Sequence, residues 1–219
     1  MAAPRMSIDA LAARLKLDRK NLCVVVEGYN DRGLVSNWAD DENLPLSCYA
    51  SDEIDIQISD EFQGLGGNKS RVLSVLSNAT IVHFADRRIL GIVDRDIDDV
   101  LEQSPTIIGV YYTDKACLIS SVLSRRNIAR LIKNTFHKDI SGDILEDVFR
   151  ASYWMFHLRV AKALLGVDRA PVNLKKYVRT QAKGGFDFDG YLDAVANSWS
   201  RSVDDIKAAL ATAEATDKI

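Results

Sequence analysis

The sequence predicts an α/β protein, with a parallel sheet and its helices in residues 1–114 and a helical region in residues 115–219. In the first region, runs of β-branched residues alternate with helical patterns, which is typical of a parallel sheet. After Asp114 no convincing strand pattern remains. A chain of 219 residues that is 47% hydrophobic can bury one good core and a second, smaller one.

The first region begins with a short predicted helix that has Ser7 as its N-cap and Leu11 and Leu15 on one face. Residues 30–38 and 69–76 are also predicted as helices, and residues 54–58 as a more exposed strand. Continuous apolar runs predict buried strands, and these are Leu22–Val26, Ile89–Val93 and residues 106–112.

The second region carries helical periodicity almost throughout. Helices are predicted over residues 116–137, 144–165, 173–180, 190–199 and 203–215. The stretch 144–165 is apolar nearly all round, which predicts a buried helix. Its aromatic residues Tyr153, Trp154 and Phe156 are therefore expected in a core, with stacking on nucleic-acid bases as the alternative.

The sequence favours a cytoplasmic protein without a membrane partner. No apolar run approaches the ~20 residues that span a bilayer, and residues 1–21 resemble a charged amphipathic helix rather than a secretory signal. The chain has three cysteines and three histidines, without zinc-ligand spacing. A disulfide or zinc framework is therefore not expected.

Charge is unevenly distributed along the chain. Residues 1–114 contain 19 acidic and 11 basic side chains, whereas residues 115–183 contain 5 acidic and 14 basic ones. An acidic metal site beside a phosphate-binding surface would produce this pattern, and so would ordinary solvated helix surfaces.

Carboxylates follow two of the predicted buried strands. Glu27 comes directly after Leu22–Val26, and Asp94 and Asp96 follow Ile89–Val93. Ligands bind at the carboxyl ends of strands in open α/β sheets. In a segment that is still extended, Asp94 and Asp96 would point the same way. If the two strands are neighbours, the three carboxylates converge and repel one another unless some protonate or a cation binds.

Hard oxygen ligands favour Mg²⁺, with Mn²⁺ as the alternative ion. A metal on Asp94 and Asp96 would polarise a phosphate, while Glu27 would bind the ion or act as general base on water. Asp31 is a fourth candidate catalytic residue, through ligand orientation or a hydrogen bond. It would equally serve as an acid in the first turn of a helix.

These stretches resemble the Toprim family, which topoisomerases, primases and overcoming-lysogenization-defect nucleases share. The matching residues are Val26 to Asp31 (Val-Glu-Gly-x-x-Asp) and Val93 to Asp96 (Val-Asp-Arg-Asp). With Thr113-Asp114 and the helices that follow, the pattern is most similar to the Toprim-like nuclease subunit of the PARIS anti-phage system.

The resemblance implies a Toprim-like domain over residues 1–114 and a helical domain over residues 115–219. It also implies a toxic effector nuclease that cleaves RNA such as transfer RNA, after release from a partner ATPase during phage infection. The pattern departs from many relatives at Cys117 and Ile119, where those relatives have an acidic pair. One metal ion or two, and a homodimer, are left open.

Basic residues supply candidates for nucleic-acid binding. Lys69 follows Gly66-Gly67-Asn68 at a predicted helix start, where it could meet a phosphate or remain a solvated surface lysine. Arg126, Arg130 and Lys133 form one stripe that could follow a nucleic-acid backbone or simply face solvent.

Two other functions compete with a nuclease. A catalytically silent module could use the acidic pocket and the basic helices to dock a partner ATPase, and Cys117 and Ile119 favour that alternative. Phosphoryl transfer on a small molecule ranks last. Enzymes that use an Asp-x-Asp pair in this way place the nucleophilic aspartate after the first strand, where this chain has Glu27.

Overall fold

The computed structural model of the protein describes residues 4–97, 101, 104–114, 118, 124–137, 139, 142–170, 172–177 and 186–216. The chain divides into two compact units. The first comprises Met1–Asp96 and Ser104–Val122, and the second comprises Ile97–Gln103 and Leu123–Ile219. None of the helices in these described ranges is both long and apolar enough to cross a bilayer.

The first unit contains two parallel sheets. A two-stranded sheet pairs β1 with β4, and a four-stranded sheet has the order β3-β2-β5-β6. The strands are β1 (Met6–Ser7), β2 (Leu22–Val26), β3 (Leu46–Ala50), β4 (Ile54–Asp55), β5 (Ile89–Val93) and β6 (Val110–Tyr112).

Three α-helices of this unit lie wholly within the described residues, besides three short 3-10 turns at Ser51–Glu53, Asp60–Phe62 and Val82–Phe84. The α-helices are α1 (Ile8–Leu17), α2 (Tyr29–Asp41) and α3 (Gly67–Ser77). The predicted cap of α1 is confirmed, because the Ser7 side chain accepts a hydrogen bond from the Ala10 N–H group. Such a cap satisfies one of the N–H groups that the first helical turn leaves without a partner.

Helices cover both faces of the four-stranded sheet. Along β2, Cys23 and Val25 pack into the cluster that contains the buried residues of α1 and α3. Val24 and Val26 pack on the opposite face, against Val35 of α2. This burial on both sides explains why β2 is a continuous apolar run rather than an alternating one.

The fold class is confirmed as a parallel α/β sheet followed by helices, but the predicted strands were incomplete. Strand β3 was not predicted, because Leu46–Ala50 mixes Ser and Tyr with apolar residues and resembles a loop. Residues 54–58 form a strand only at Ile54–Asp55, where Ile54 is buried and Asp55 is exposed, as the alternating pattern predicted. In 106–112 only Val110–Tyr112 is strand.

The second unit is helical. Its helices are α4 (Arg125–Phe136), α5 (Gly142–Leu164), α6 (Phe188–Trp199) and α7 (Val203–Thr216), with a 3-10 turn at Leu174–Tyr177. The predicted helices over 116–137 and 173–180 include residues 116–117, 119–123 and 178–180, which lie outside the described residues. A core joins the C-terminal half of α5 to α6 and α7, through residues such as Leu158, Leu192 and Ile206.

Helix α5 is not buried all round, so that prediction was wrong. Ile144, Val148 and Tyr153 are about half exposed, whereas Leu158 and Ala161, further along the helix, are buried. Trp154 does pack in the core, with its ring centroid 4.3 Å from that of Phe188. The prediction from apolar composition overestimated the burial of α5, because the helix packs mainly through its C-terminal half.

Gly91 allows α3 to lie directly on β5. A Cβ atom at this position would lie 3.0 Å from Val72 Cγ1 and 3.1 Å from Leu76 Cδ2.

We expect Gly91→Val to lower the free energy of unfolding by roughly 1–3 kcal/mol, because the added methyl groups overpack this contact. Urea denaturation measures the change. Gly33→Ala in α2 is the control, since a Cβ there meets nothing within 4 Å, and a gain of roughly 0.5–1 kcal/mol is expected.

Candidate metal centre

The candidate centre lies at the topological switch point of the four-stranded sheet, between β2 and β5, where the order of strand addition reverses. The connection from β2 leads through α2 to β3 on one side, while β5 pairs with β2 on its other side and continues the sheet towards β6. In open α/β sheets such a switch point leaves a crevice beyond the carboxyl ends of the two adjacent strands. Glu27 follows β2 and Asp94 follows β5, so both residues lie at that crevice.

A hydrogen bond connects these two strand ends directly. The backbone N–H of Asp94 donates to Glu27 Oε1 at 2.7 Å. The backbone of Glu27 is held as well, because the hydroxyl of the buried Ser51 donates to its carbonyl oxygen at 2.9 Å. The predicted neighbourhood of Glu27 and Asp94 is therefore present in the structure.

Asp94 and Asp96 differ in their surroundings. Strand β5 ends at Val93, and Asp96 adopts a φ of 48°, in the left-handed region. The chain therefore turns here and does not continue in the extended course on which their common direction was predicted. Asp94 Oδ1 accepts a hydrogen bond from the Leu118 N–H at 2.8 Å, whereas Asp96 Oδ2 lies 3.6 Å from Lys69 Nζ.

Lys69 is a buried part of the centre. It stands in the first turn of α3, as predicted, but its side chain is only 4% exposed. The interpretation as a solvated surface lysine was therefore wrong. Helical periodicity did not reveal this, because burial of a lysine depends on the acidic groups around it rather than on its own position in the pattern.

Asp31 acts as an acidic residue in the first turn of α2, which was the predicted alternative to a catalytic role. Its Oδ2 accepts a hydrogen bond from the Gly28 N–H at 3.2 Å, which caps the start of α2. It also lies near enough to Asp94 to raise the pKa of that carboxyl group. Asp31 thus fixes the Glu27-Gly28 turn and adds negative charge to the centre.

Two carboxyl groups of the centre, those of Glu27 and Asp94, resist ionisation. Burial raises the pKa of Glu27 to about 7, and the negative charges of Asp94 and Asp96 add to the rise. Burial also raises the pKa of Asp94, together with Asp31 and Asp96. The Lys69 ammonium opposes both shifts. Perturbed carboxyl groups in a cleft are a recognised sign of functional sites.

The donor set suits Mg²⁺ in its chemistry. In the described parts of the chain, no three His, Cys, Asp or Glu side chains are grouped closely enough to hold a metal ion. Mg²⁺ does not need such a cage, because it keeps several waters and binds through one or two carboxylates. Glu27 and Asp94 would supply these. The assignment of Glu27, Asp94 and Asp96 together as ligands stays a prediction.

The basic stripe belongs to the second unit. Arg126, Arg130 and Lys133 are exposed along α4, as predicted. Lys133 forms an ion pair with Asp139 at 2.9 Å, and both side chains are largely exposed. Exposed ion pairs of this kind contribute little energy, so the stripe could still exchange Asp139 for a phosphate. The departures at Cys117 and Ile119 lie outside the described residues.

Thr113 belongs to the Thr113-Asp114 match in the sequence, but its supporting role was not predicted. It is buried, and its Oγ1 accepts a hydrogen bond from the backbone N–H of Arg95, between the two aspartates, at 3.0 Å. The hydroxyl of Thr113 therefore holds the loop that carries Asp94 and Asp96 against the end of β6. Its position directly after a predicted strand was the available signal.

Comparison with known proteins assigns no family. No protein-family model matches the chain, and no curated protein is significantly similar to it.

Glu27→Gln should stabilise the protein above neutral pH. The pKa of Glu27 is raised from 4.5 to about 7, so the wild type loses stability as the pH rises from about 4.5 to 7, where only the unfolded chain ionises readily. Glutamine keeps the bond from Asp94 without the charge. We expect a gain of roughly 1–2 kcal/mol at pH 8, after allowance for partial exposure, and almost none at pH 4.5.

Urea denaturation at both pH values tests this expectation. Glu61→Gln, at an exposed position, controls for the general effect of removing a negative charge. An equal gain in both variants, or a gain from Glu27→Gln that does not depend on pH, would contradict the conclusion that burial raises the pKa of Glu27.

Lys69→Met should have the opposite effect. The change keeps the apolar stem and removes the ammonium beside Asp96, which leaves the acidic centre without this compensating charge. We expect a loss of roughly 1–3 kcal/mol at pH 8, less than for a fully buried pair because Asp96 is partly exposed. Protonation of Glu27, whose pKa is raised to about 7, should reduce the loss at pH 4.5. Thermal unfolding of both proteins at each pH provides the measurement, and an unchanged midpoint at pH 8 would refute this role.

Proposed function

We propose that the protein is a magnesium-dependent nuclease that cleaves phosphodiester bonds at the carboxylate centre. The observation that carries the proposal is the 2.7 Å hydrogen bond between Asp94 N–H and Glu27 Oε1, because it brings two separate acidic motifs together at the switch point of the sheet. Ligands bind at this point in open α/β sheets. The raised pKa values of Glu27 and Asp94 also favour a site that takes up a cation.

Each described residue has a distinct task in this proposal. Glu27 and Asp94 would hold the ion, which when bound polarises a phosphate and lowers the pKa of its water. Asp96 would join them or stay with Lys69. Alternatively, Asp94 and Asp96 would hold the ion and Glu27, whose pKa is raised to about 7 in the metal-free protein, would accept a proton from water. Asp31 and Thr113 hold the loops that carry these groups.

The biological setting of the proposal rests on the resemblance to Toprim nucleases. RNA is the preferred substrate on that ground, with a partner ATPase that restrains the nuclease, and with a cytoplasmic role in anti-phage defence. The charge of the centre alone does not distinguish RNA from DNA, because both offer the same phosphodiester to the ion.

Glu27→Gln and Asp94→Asn should each reduce Mg²⁺-dependent cleavage by roughly 10²-fold or more, because each removes a charged ligand while keeping side-chain size. The measurement is the initial rate on labelled RNA and DNA, with and without a chelator. Asp41→Asn is the matched control. It lies at the far end of α2, roughly 18 Å along the helix from Tyr29, and should cleave like the wild type.

Magnesium titration by calorimetry separates the nuclease from a silent docking module. A nuclease of this kind must bind the ion through Glu27 and Asp94, so the heat of binding should disappear in both variants and persist in Asp41→Asn. Undiminished cleavage in Glu27→Gln and Asp94→Asn would exclude this centre. A wild type that neither binds Mg²⁺ nor cleaves would favour the docking module.

A further inference from the structure

An exposed aromatic ring stands beside the carboxylate centre. Tyr29 is the first residue of α2, two residues after Glu27, and is 59% exposed. The Cα atoms of Glu27 and Tyr29 are therefore at most about 7 Å apart. Within the described part of the chain, no hydrogen bond or ring contact ties the Tyr29 side chain to another residue. Its phenol ring is therefore accessible to solvent, on a residue whose backbone adjoins the centre.

Packing of the fold does not account for this tyrosine. The buried face of α2 is formed by Val35 and Ala39. At 3.6 residues per turn, Tyr29 lies roughly 80–120° around the helix from both. Helix geometry thus directs the ring away from the sheet. Tyrosine is also a weak helix former compared with Ala, Leu or Glu, so local propensity gives no strong reason for it at this position.

Because the centre is acidic, a nucleic acid that binds there needs a contact whose energy does not depend on charge. Glu27, Asp31, Asp94 and Asp96 are acidic, and Lys69 is already engaged with Asp96. A polyanion that approaches this centre meets repulsion at short range even after one divalent ion is bound. Stacking of a base on an aromatic ring supplies binding energy without regard to charge, because every base has a π-face.

We propose that Tyr29 stacks on an unpaired nucleobase next to the scissile phosphate, so that the enzyme selects single-stranded segments. This inference rests on the proposed nuclease function and specifies its substrate class. A base within a duplex stacks on its neighbours and cannot offer its face to Tyr29. Loops and single strands expose their bases and can lie with the phosphate at Glu27 and the base on the ring.

The test combines Tyr29 variants with substrates that lack one base. An oligonucleotide cleaved by the wild type is remade with an abasic nucleotide on either side of the cut. Tyr29→Ala should lower kcat/KM on the intact strand roughly 5- to 150-fold, chiefly through KM. The abasic substrate should impose a similar loss on the wild type but little further loss on Tyr29→Ala. Tyr29→Phe should stay within about twofold of the wild type, because it keeps the ring.

Trp38→Ala is the matched control, since Trp38 is a similarly exposed aromatic residue (53%) nearer the other end of α2. It should cleave like the wild type. A duplex of the same sequence should be cut more slowly than the single strand by the wild type. If Tyr29→Ala cleaves at the wild-type rate, or if the abasic penalty remains undiminished in that variant, the proposal is overturned.

A binding measurement distinguishes failure of the stacking proposal from failure of the nuclease proposal. Glu27→Gln protein is titrated, in the presence of a chelator that prevents residual cleavage, with a single strand that carries fluorescent 2-aminopurine. Stacking on Tyr29 should quench the probe, and the additional change Tyr29→Ala should weaken binding 5- to 150-fold and abolish the quenching. Wild type that does not cleave, combined with quenching that depends on Tyr29, would refute the nuclease and retain the stacking site. Equal binding with and without Tyr29, or no binding at all, would refute the stacking site.

Discussion

The arrangement of the centre depends on the hydrogen bond between the Asp94 N–H group and the Glu27 carboxylate. It spans 67 residues of sequence and joins the ends of the two central strands. Parallel pairing of β2 with β5 brings these ends to the same edge of the sheet. The backbone amide then fixes one oxygen of Glu27. Any disturbance of the register between β2 and β5 would therefore separate the two acidic motifs.

The surroundings of this bond explain how several carboxylates can coexist in a partly buried place. Backbone N–H groups donate to Glu27, Asp31 and Asp94, each from a different element of the fold. The Lys69 ammonium supplies a full positive charge from the first turn of α3. These contacts do not offset burial completely, because the pKa values of Glu27 and Asp94 remain raised. The centre is thus ordered by its hydrogen bonds but left short of positive charge.

The sequence predicted the strands that carry the centre but not its internal contacts. The β-branched runs at β2 and β5 were recognisable because both faces of these strands are buried, and that burial leaves a continuous apolar pattern. The edge strand β3 escaped prediction, since its mixed residues carry no such pattern. The turn at Asp96 and the burial of Lys69 depend on groups distant in sequence. Local periodicity does not contain that information, and it likewise overestimated the burial of α5.

The shortage of positive charge and the proposed cation site have the same physical origin. Burial, together with repulsion by Asp94 and Asp96, disfavours the ionised form of Glu27, so the folded protein loses stability as the pH rises from about 4.5 to 7. A divalent ion that binds only the folded state removes this repulsion, and by linkage the stabilisation equals the free energy of binding at that ion concentration. Replacing the carboxylates by amides would relieve the same repulsion permanently and abolish the affinity. Retention of charged groups at a cost in stability is the arrangement expected where function, rather than folding, requires them.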